Sequence, residues 1–212
     1  MSRQSLVAFA ALSIVVLAGP AGAQNFQNGS AETIWPGNVR LTASPVHMWG
    51  TEGRPDRTGG AFRLGYGFTE WFDVEAKTGF FDGVSLVGAD GKFNLLGDET
   101  SLSVSVGGHR AYMAHGPDSN ALDLAVQLGQ RLGGRLEIFG GPAFSYESTS
   151  GVPDSGFTRW YLVPGFRLGV ADRLDLVVEG GIGFNDDSPD FVTAGLALHV
   201  PVSSEARGRR RQ

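Results

Sequence analysis

The sequence predicts an all-β fold, a transmembrane antiparallel up-and-down β-barrel of ten strands, with eight or twelve strands as the alternatives. Apolar and polar side chains alternate with a period of two through nearly every segment after residue 38. The alternating runs extend for about ten to twelve residues, roughly twice the usual strand length of a soluble domain. Glycine accounts for 32 of the 212 residues. Glycines on the polar face would leave room for charged side chains inside a narrow barrel.

The chain divides into four parts. At the N-terminus, one positive charge precedes an apolar core at residues 6–17, and small residues lead up to Ala23. This is the pattern of a secretory signal peptide, and we expect cleavage near Ala23. The apolar core is too short for a membrane-spanning helix. The four parts are the signal peptide at 1–23, a polar lead-in at 24–37, the membrane β-barrel at 38–200 and a basic C-terminal tail at 201–212.

Ten candidate strands follow from the alternation. In the ninth, Val178 lies on the apolar face, which we expect to contact lipid, while Val177 and Glu179 lie on the polar face, which we expect to line the lumen. Pro45 interrupts the first strand and predicts a β-bulge there. The ten strands cover residues 38–49, 59–68, 71–81, 84–96, 100–113, 120–132, 135–147, 157–170, 173–185 and 190–200.

The connections between the strands alternate in length. Breaks after even-numbered strands are tight, as at residues 69–70 and 133–134, and breaks after odd-numbered strands are mostly longer, as at 148–156. Bacterial barrels place their short turns and both chain ends in the periplasm and their longer loops outside. The parity therefore supports an even number of strands and makes residues 24–37 a periplasmic lead-in.

Acidic and basic residues are nearly balanced on the polar face. They would form either a selective eyelet for small solutes or a set of ion pairs that fills the lumen. Narrow barrels are usually filled by side chains, which favours the ion pairs. The function expected is a structural or surface role, or a narrow small-solute pathway. The predicted lumen residues are Arg63, Asp73, Glu75, Lys77, Asp90, Lys92, Asp123, Arg131, Glu137, Arg167, Asp175 and Glu179.

The last strand carries a polar-x-Gly-x-x-Φ-x-Φ pattern, where Φ is apolar. Through this pattern and its hairpins, the stretch 38–200 resembles the small outer-membrane β-barrel proteins of Gram-negative bacteria, the porin-like and OmpA-like barrel superfamily. The resemblance implies residence in the cell outer membrane, contact with its lipid and insertion by the barrel-assembly machinery. The family usually ends its barrel with an aromatic residue, whereas this barrel ends with valine. The positions that match the barrel-assembly signal are Thr193, Gly195, Leu198 and Val200.

Other function classes receive less support from the sequence. An outer-membrane enzyme acting on lipid or peptide at the extracellular rim is one alternative, because His47 and His109 lie near the outer ends of their strands and His115 lies in a loop. The sequence has no P-loop and no nucleophile elbow. We therefore expect no enzymatic activity and no catalytic residue.

Cofactors and nucleic acids are not expected either. The chain has no cysteine and no His-x-x-x-His spacing, so no metal site is predicted. Its net charge of −5 gives no support for nucleic-acid binding. A secreted soluble β-sandwich that binds a ligand is the remaining alternative, although its strands would be shorter. The sequence leaves open the oligomeric state and whether the lumen conducts.

Overall fold

The computed structural model describes residues 30–50, 55–97, 99–151 and 156–202. The predicted signal peptide, residues 24–29 of the lead-in and residues 203–212 of the basic tail lie outside these residues. Within the described part of the chain, no helix is long and apolar enough to cross a membrane. The strands are β1 (Asn38–Met48), β2 (Arg57–Thr69), β3 (Phe72–Phe81), β4 (Val84–Leu96), β5 (Thr100–Met113), β6 (Ser119–Leu132), β7 (Leu136–Gly140), β8 (Pro142–Thr149), β9 (Phe157–Leu162), β10 (Gly165–Ala171), β11 (Leu174–Gly183) and β12 (Phe191–Pro201).

Two of the barrel strands are interrupted. Segments β7 and β8 both pair with β6, and β9 and β10 both pair with β11, in registers that continue across each gap. The gaps face each other, because Val163 N donates to Gly141 O over 2.9 Å. Pro164 lacks an N–H group and cannot donate to the ladder. The twelve segments are therefore ten barrel strands, as predicted, but the seventh and eighth are each divided rather than continuous.

The sheet closes on itself. Every pairing between two of the described strands is antiparallel, and β1 pairs with β12 from Asn38–Pro201 to Met48–Phe191, so the barrel formed by these strands has no free edge. Tracing the register once around the ten strands returns to β1 displaced by about 12 residues, which corresponds to a strand tilt of roughly 40° and a barrel radius of about 10 Å. This confirms the predicted fold class, and the single closed sheet rules out the β-sandwich alternative.

The two ends of the barrel differ. Tight turns at residues 70–71, 133–135 and 172–173 lie at the same end as Asn38 and Pro201, and we call this the turn end. The longer connections, such as residues 114–118 and 184–190, lie at the opposite end, which we call the loop end. This arrangement follows the parity predicted from the sequence.

The predicted bulge at Pro45 is wrong. The register with β2 runs without a shift from Ala43–Phe62 through Pro45–Gly60 to Val46–Gly59. On the other side of the strand, the pairing with β12 omits residues 44 and 45. Because Pro45 has no N–H group to donate, the hydrogen-bond ladder between β1 and β12 has a local gap there, and no extra residue is inserted into the strand.

The outer surface of the barrel is apolar. Along the strands, inward residues are buried while outward leucines, valines and aromatics stay exposed, and Val177 is buried as predicted. Exposed aromatic side chains lie near both ends, including Phe68 and Trp71 at the turn end and Trp49 and Trp160 at the loop end. An apolar band between aromatic girdles is typical of a barrel surrounded by lipid.

The interior is apolar at the loop end and mainly charged elsewhere. A cluster that includes Val46, Met48, Phe81, Tyr161 and Phe191 fills the lumen at the loop end. All five side chains are at most 5% exposed. Towards the turn end, most of the inward side chains are charged or hydroxylic. The candidate site is this charged region and the chain segment inserted into it.

Candidate functional site: the closed lumen

A continuous series of ion pairs crosses the lumen from β1 to β9, and we call it the ion chain. Its members alternate between acids and bases and come from neighbouring or facing strands. Buried ions of this kind require partners, because removing them from water is costly. The N–O distances in its first half are 2.6 Å for Arg40–Glu75, 3.1 Å for Glu75–Arg63, 2.7 Å for Arg63–Asp90, 2.7 Å for Asp90–Lys77 and 2.8 Å for Lys77–Asp123.

The second half of the ion chain passes through a histidine. His109 Nδ1 lies 2.7 Å from Asp123 Oδ2, and its Nε2 lies 3.9 Å from Glu147 Oε1. Ser145 Oγ donates to the other oxygen of Asp123 over 2.8 Å. Arg159 ends the chain at 2.5 Å from Glu147. The imidazole of His109 therefore lies inside the lumen, where its side chain is fully buried.

At the turn end, residues 30–37 fold into the lumen, and we call this segment the plug. Its residues Ala31 and Ile34 are at most 1% exposed. The plug crosses the lumen, since its backbone binds side chains from β3, β4 and β7. The three contacts are Ile34 N to Asp73 Oδ2 at 2.7 Å, Lys92 Nζ to Ser30 O at 2.9 Å and Ala31 N to Glu137 Oε1 at 3.2 Å.

One plug side chain is bound by two arginines. Glu32 forms an ion pair with Arg131 on β6 and another, at 2.6 Å, with Arg167 on β10. Arg167 also lies 2.9 Å from Glu137 and 3.6 Å from Asp175. We call these five residues the mouth cluster. Asp175 is bound in turn by His199 at 2.9 Å.

The barrel wall is shaped to receive the plug. A Cβ atom on Gly67 would lie 2.2 Å from the carbonyl oxygen of Ile34, and one on Gly129 would lie 2.8 Å from the Cβ atom of Ala31. Side chains larger than hydrogen would therefore displace the plug. At the entrance to β1, Gly37 N donates to Gly67 O over 2.9 Å. These glycines explain why the wall facing the plug carries so little side-chain volume.

The predicted lumen residues all face inward, but they fall into different groups. Five belong to the ion chain, four to the mouth cluster, and Asp73 and Lys92 bind the plug backbone. Glu179 is 1% exposed and lies near Arg63 in the same lumen. Arg131, Arg167 and Asp175 keep partial access to solvent at the turn end, with side chains 39%, 18% and 15% exposed.

Six further charged or titratable residues of the lumen were not predicted. Five of them would have been found by continuing the period-two alternation to the ends of their strands: Arg40, His109, Glu147, Arg159 and His199. For Glu32 no signal existed, because the plug has no regular pattern. The four positions of the predicted assembly signal lie in β12, where Thr193 is buried in the lumen and Leu198 is exposed on the lipid-facing side.

Among the described residues, no group of three or more His, Cys, Asp or Glu side chains is arranged to hold a metal ion. The acids of the lumen instead form ion pairs with arginine and lysine and contacts with histidine nitrogens. The arrangement can therefore fill a lumen and hold the strands together through an ordered set of buried ion pairs.

Comparison with known proteins finds solved structures of outer-membrane proteins that are similar to this chain. No family model and no curated protein sequence matches the chain. An outer membrane channel from Pseudomonas putida F1 has 11% identity and a TM-score of 0.47, covering 83% of this chain and 100% of that one.

Two further solved structures are similar. The outer membrane protein Ail of Yersinia pestis has 9% identity and a TM-score of 0.43, covering 77% of this chain and 99% of that one. The KdgM porin has 13% identity and a TM-score of 0.42, covering 74% and 98%. At these values the similarity assigns neither a family nor a function. The chain is similar to small outer-membrane β-barrels, the class that its sequence resembles.

Proposed function

We propose that this protein is an outer-membrane β-barrel with a structural or surface role, whose lumen is closed to solutes. The observation that supports this proposal is the plug, bound across the turn end by Asp73, Lys92 and Glu137. Under this proposal, the turn end faces the periplasm and the loop end faces the exterior. The plug, the ion chain and the apolar cluster then close the lumen in succession.

Each of the three layers resists an ion in a different way. The plug occupies space, since its buried side chains pack against the glycines of the wall. The acidic side chains of the ion chain are paired with basic neighbours, so the ion chain has little excess charge of either sign to attract a permeating ion. The apolar cluster consists mostly of aliphatic and phenyl side chains, which cannot replace the hydration shell of an ion. A narrow small-solute pathway would require all three layers to rearrange.

The proposal includes no enzymatic role. The sequence places His109 near the outer end of its strand, where a catalytic base could act, but in the structure its side chain is buried inside the lumen against Asp123. His47 lies on the outside of the wall, where its ring contacts Trp49 and its Nδ1 lies 3.1 Å from Thr58 Oγ1. These histidines are therefore separated by the wall and do not converge on a shared substrate position.

The partners that we propose follow from the surface and the last strand. Outer-membrane lipid would contact the apolar band, and the barrel-assembly machinery would read Thr193, Gly195, Leu198 and Val200. In β12, Thr193 and Gly195 lie on the lumen side and Leu198 and Val200 on the lipid side, so the signal is presented on both faces of the strand that closes the barrel.

Single-channel recording tests the closed lumen. We expect the full mature protein, refolded into a planar bilayer, to show no stable open conductance across a salt gradient. A general porin refolded and recorded in the same way would show that insertion and detection work. Stable, long-lived openings of the wild-type protein with a defined ion preference would contradict the proposal and favour the narrow pathway.

A further inference from the structure

A groove runs along the outer wall of the barrel at the turn end, over strands β5, β6 and β7. Leu132 pairs with Leu136 beside the turn at residues 133–135, and Leu128 pairs with Gly140 farther along the same two strands. The groove therefore begins near the turn and extends towards the middle of the wall. Its volume is about 470 Å³. The outward-facing residues that line it are Thr100, Leu128, Gln130, Leu132, Ile138 and Gly140.

The groove exists because Gly140 has no side chain. The outward positions around it carry large apolar groups, and Leu128, Leu132 and Ile138 are 56%, 48% and 50% exposed. A Cβ atom on Gly140 would lie 3.3 Å from the Cα atom of Pro164, which is a tight contact. The approach of the two divided strands thus leaves little room for a side chain at this position. The result is a depression in the wall with apolar sides.

The groove also contains one polar pair. Thr100 Oγ1 donates to Gln130 Oε1 over 2.8 Å, which sets the orientation of the side-chain amide. Among the described residues, the amide nitrogen of Gln130 has one long contact, to Arg131 O at 3.4 Å. An amide nitrogen carries two N–H groups, so at least one remains available to a ligand. Next to lipid, where water does not compete, a donor without an acceptor is costly.

We infer that this groove binds one phospholipid of the periplasmic leaflet. An acyl chain lies against Leu128 and Ile138 in the space beside Gly140, and an ester carbonyl oxygen of the same lipid accepts a hydrogen bond from the amide of Gln130. Among the described residues, no charged side chain lines the groove, so a neutral acceptor suits it better than a phosphate.

The depth of the polar pair agrees with this lipid. Gln130 pairs with Ile138, two residues beyond the pair of Leu132 with Leu136 that adjoins the turn, which is about 7 Å along the strand. Ester groups lie at such a boundary, between the head groups and the hydrocarbon core. The groove is also continuous with the apolar band. The inference rests on the proposed membrane setting and orientation, and it does not depend on whether the lumen is closed.

Native mass spectrometry tests the site on the full mature protein, refolded in a nonionic detergent and titrated with dioleoyl phosphatidylethanolamine. We expect saturable binding of one lipid molecule. Gln130→Leu should weaken binding about threefold or more, since it removes the donor to the ester. Ile138→Trp should weaken it as well, because the larger side chain fills the groove. Two matched controls at the loop end should leave the affinity unchanged. Asn120→Leu removes another outward-facing amide, and Ile182→Trp enlarges an isoleucine that is 49% exposed.

A second lipid tests the hydrogen bond itself. The diether analogue has the same chains and head group but no ester carbonyl, so we expect it to bind the wild type as weakly as the diester lipid binds Gln130→Leu. Equal affinity of the wild type for the two lipids, equal affinity of Gln130→Leu and Ile138→Trp with their controls, or absence of saturable binding would overturn the inference. None of these outcomes alters the conductance expected for a closed lumen, so the two proposals fail independently.

Discussion

Two regions of the same lumen neutralise their charges in different ways. In the ion chain, the acids and bases come from the wall itself, as in the pairs of Glu75 with Arg40 and Arg63. At the turn end, the wall residues Asp73, Lys92 and Glu137 bind a segment that precedes the first strand. The two regions therefore differ in what their buried charges require. The charges of the ion chain keep their partners as long as the barrel is closed. Those at the turn end also require the plug to stay in place.

The largest effect is expected for Glu75→Gln. This substitution leaves Arg40 and Arg63 without their shared carboxylate, in side chains only 5% and 4% exposed. Loss of one partner of a buried pair costs about 3–5 kcal/mol. We expect the free energy of unfolding, measured by urea titration in lipid vesicles, to fall by that amount. Glu99→Gln, on an exposed turn, is the charge-matched control, and equal stability of the two variants would show that the ion chain is not a stabilising structure.

A comparison of adjacent residues on β11 sharpens the assignment of faces. Val178→Arg places a charge on the lipid-facing side and should lower the stability in vesicles by about 2–4 kcal/mol. Val177→Arg places the charge in the lumen instead, where Val177 packs in a cluster with Ala31 of the plug. It should displace the plug while leaving the lipid contacts intact. If the two variants gave the same results in unfolding and in the accessibility assay below, the assigned faces would be wrong.

The plug should be released by a smaller perturbation. Glu32→Gln removes the carboxylate that binds Arg131 and Arg167, whose side chains are partly exposed, so water offsets part of the loss. We expect a decrease of about 1–2 kcal/mol in the free energy of plug closure. The chain has no cysteine, and Ser30 is 1% exposed. A thiol reagent should therefore label Ser30→Cys about tenfold faster in the Glu32→Gln background. Equal labelling rates would indicate that the two arginines do not hold the plug.

The smallest effect is expected at the loop end. Arg110 and Asp118 form an ion pair at 2.9 Å, with side chains 47% and 30% exposed. Exposed pairs gain little, because solvent screens them and two long side chains must be ordered. Arg110→Gln should leave both the urea unfolding curve and the labelling rate of Ser30→Cys unchanged. A clear loss of stability would mean that the connection at residues 114–118 contributes more to the barrel than its contacts suggest.

The sequence alone determined the faces of the strands. Alternation with a period of two is a local property, so Val177, Val178 and Glu179 could be assigned to opposite sides without knowledge of the fold. The alternation of tight and long connections also predicted an even number of strands and a barrel with tight turns at one end and longer loops at the other. The same local pattern did not show that the seventh and eighth strands are interrupted, because the two gaps arise where these strands face each other, with Gly141 opposite Val163 and Gly140 opposite Pro164.

Only the tertiary structure decided which charges meet. Lys77 binds Asp123 from a strand that is not its neighbour, because the tilt of the strands and the small radius bring facing walls together. The plug was beyond sequence reasoning for a further reason: residues 30–37 carry no periodic pattern, and the wall side chains that bind the backbone of Ser30, Ala31 and Ile34 meet it only once the barrel has closed. The sequence therefore determines which residues line the lumen, while barrel closure and the return of the N-terminal segment decide how that lumen is filled.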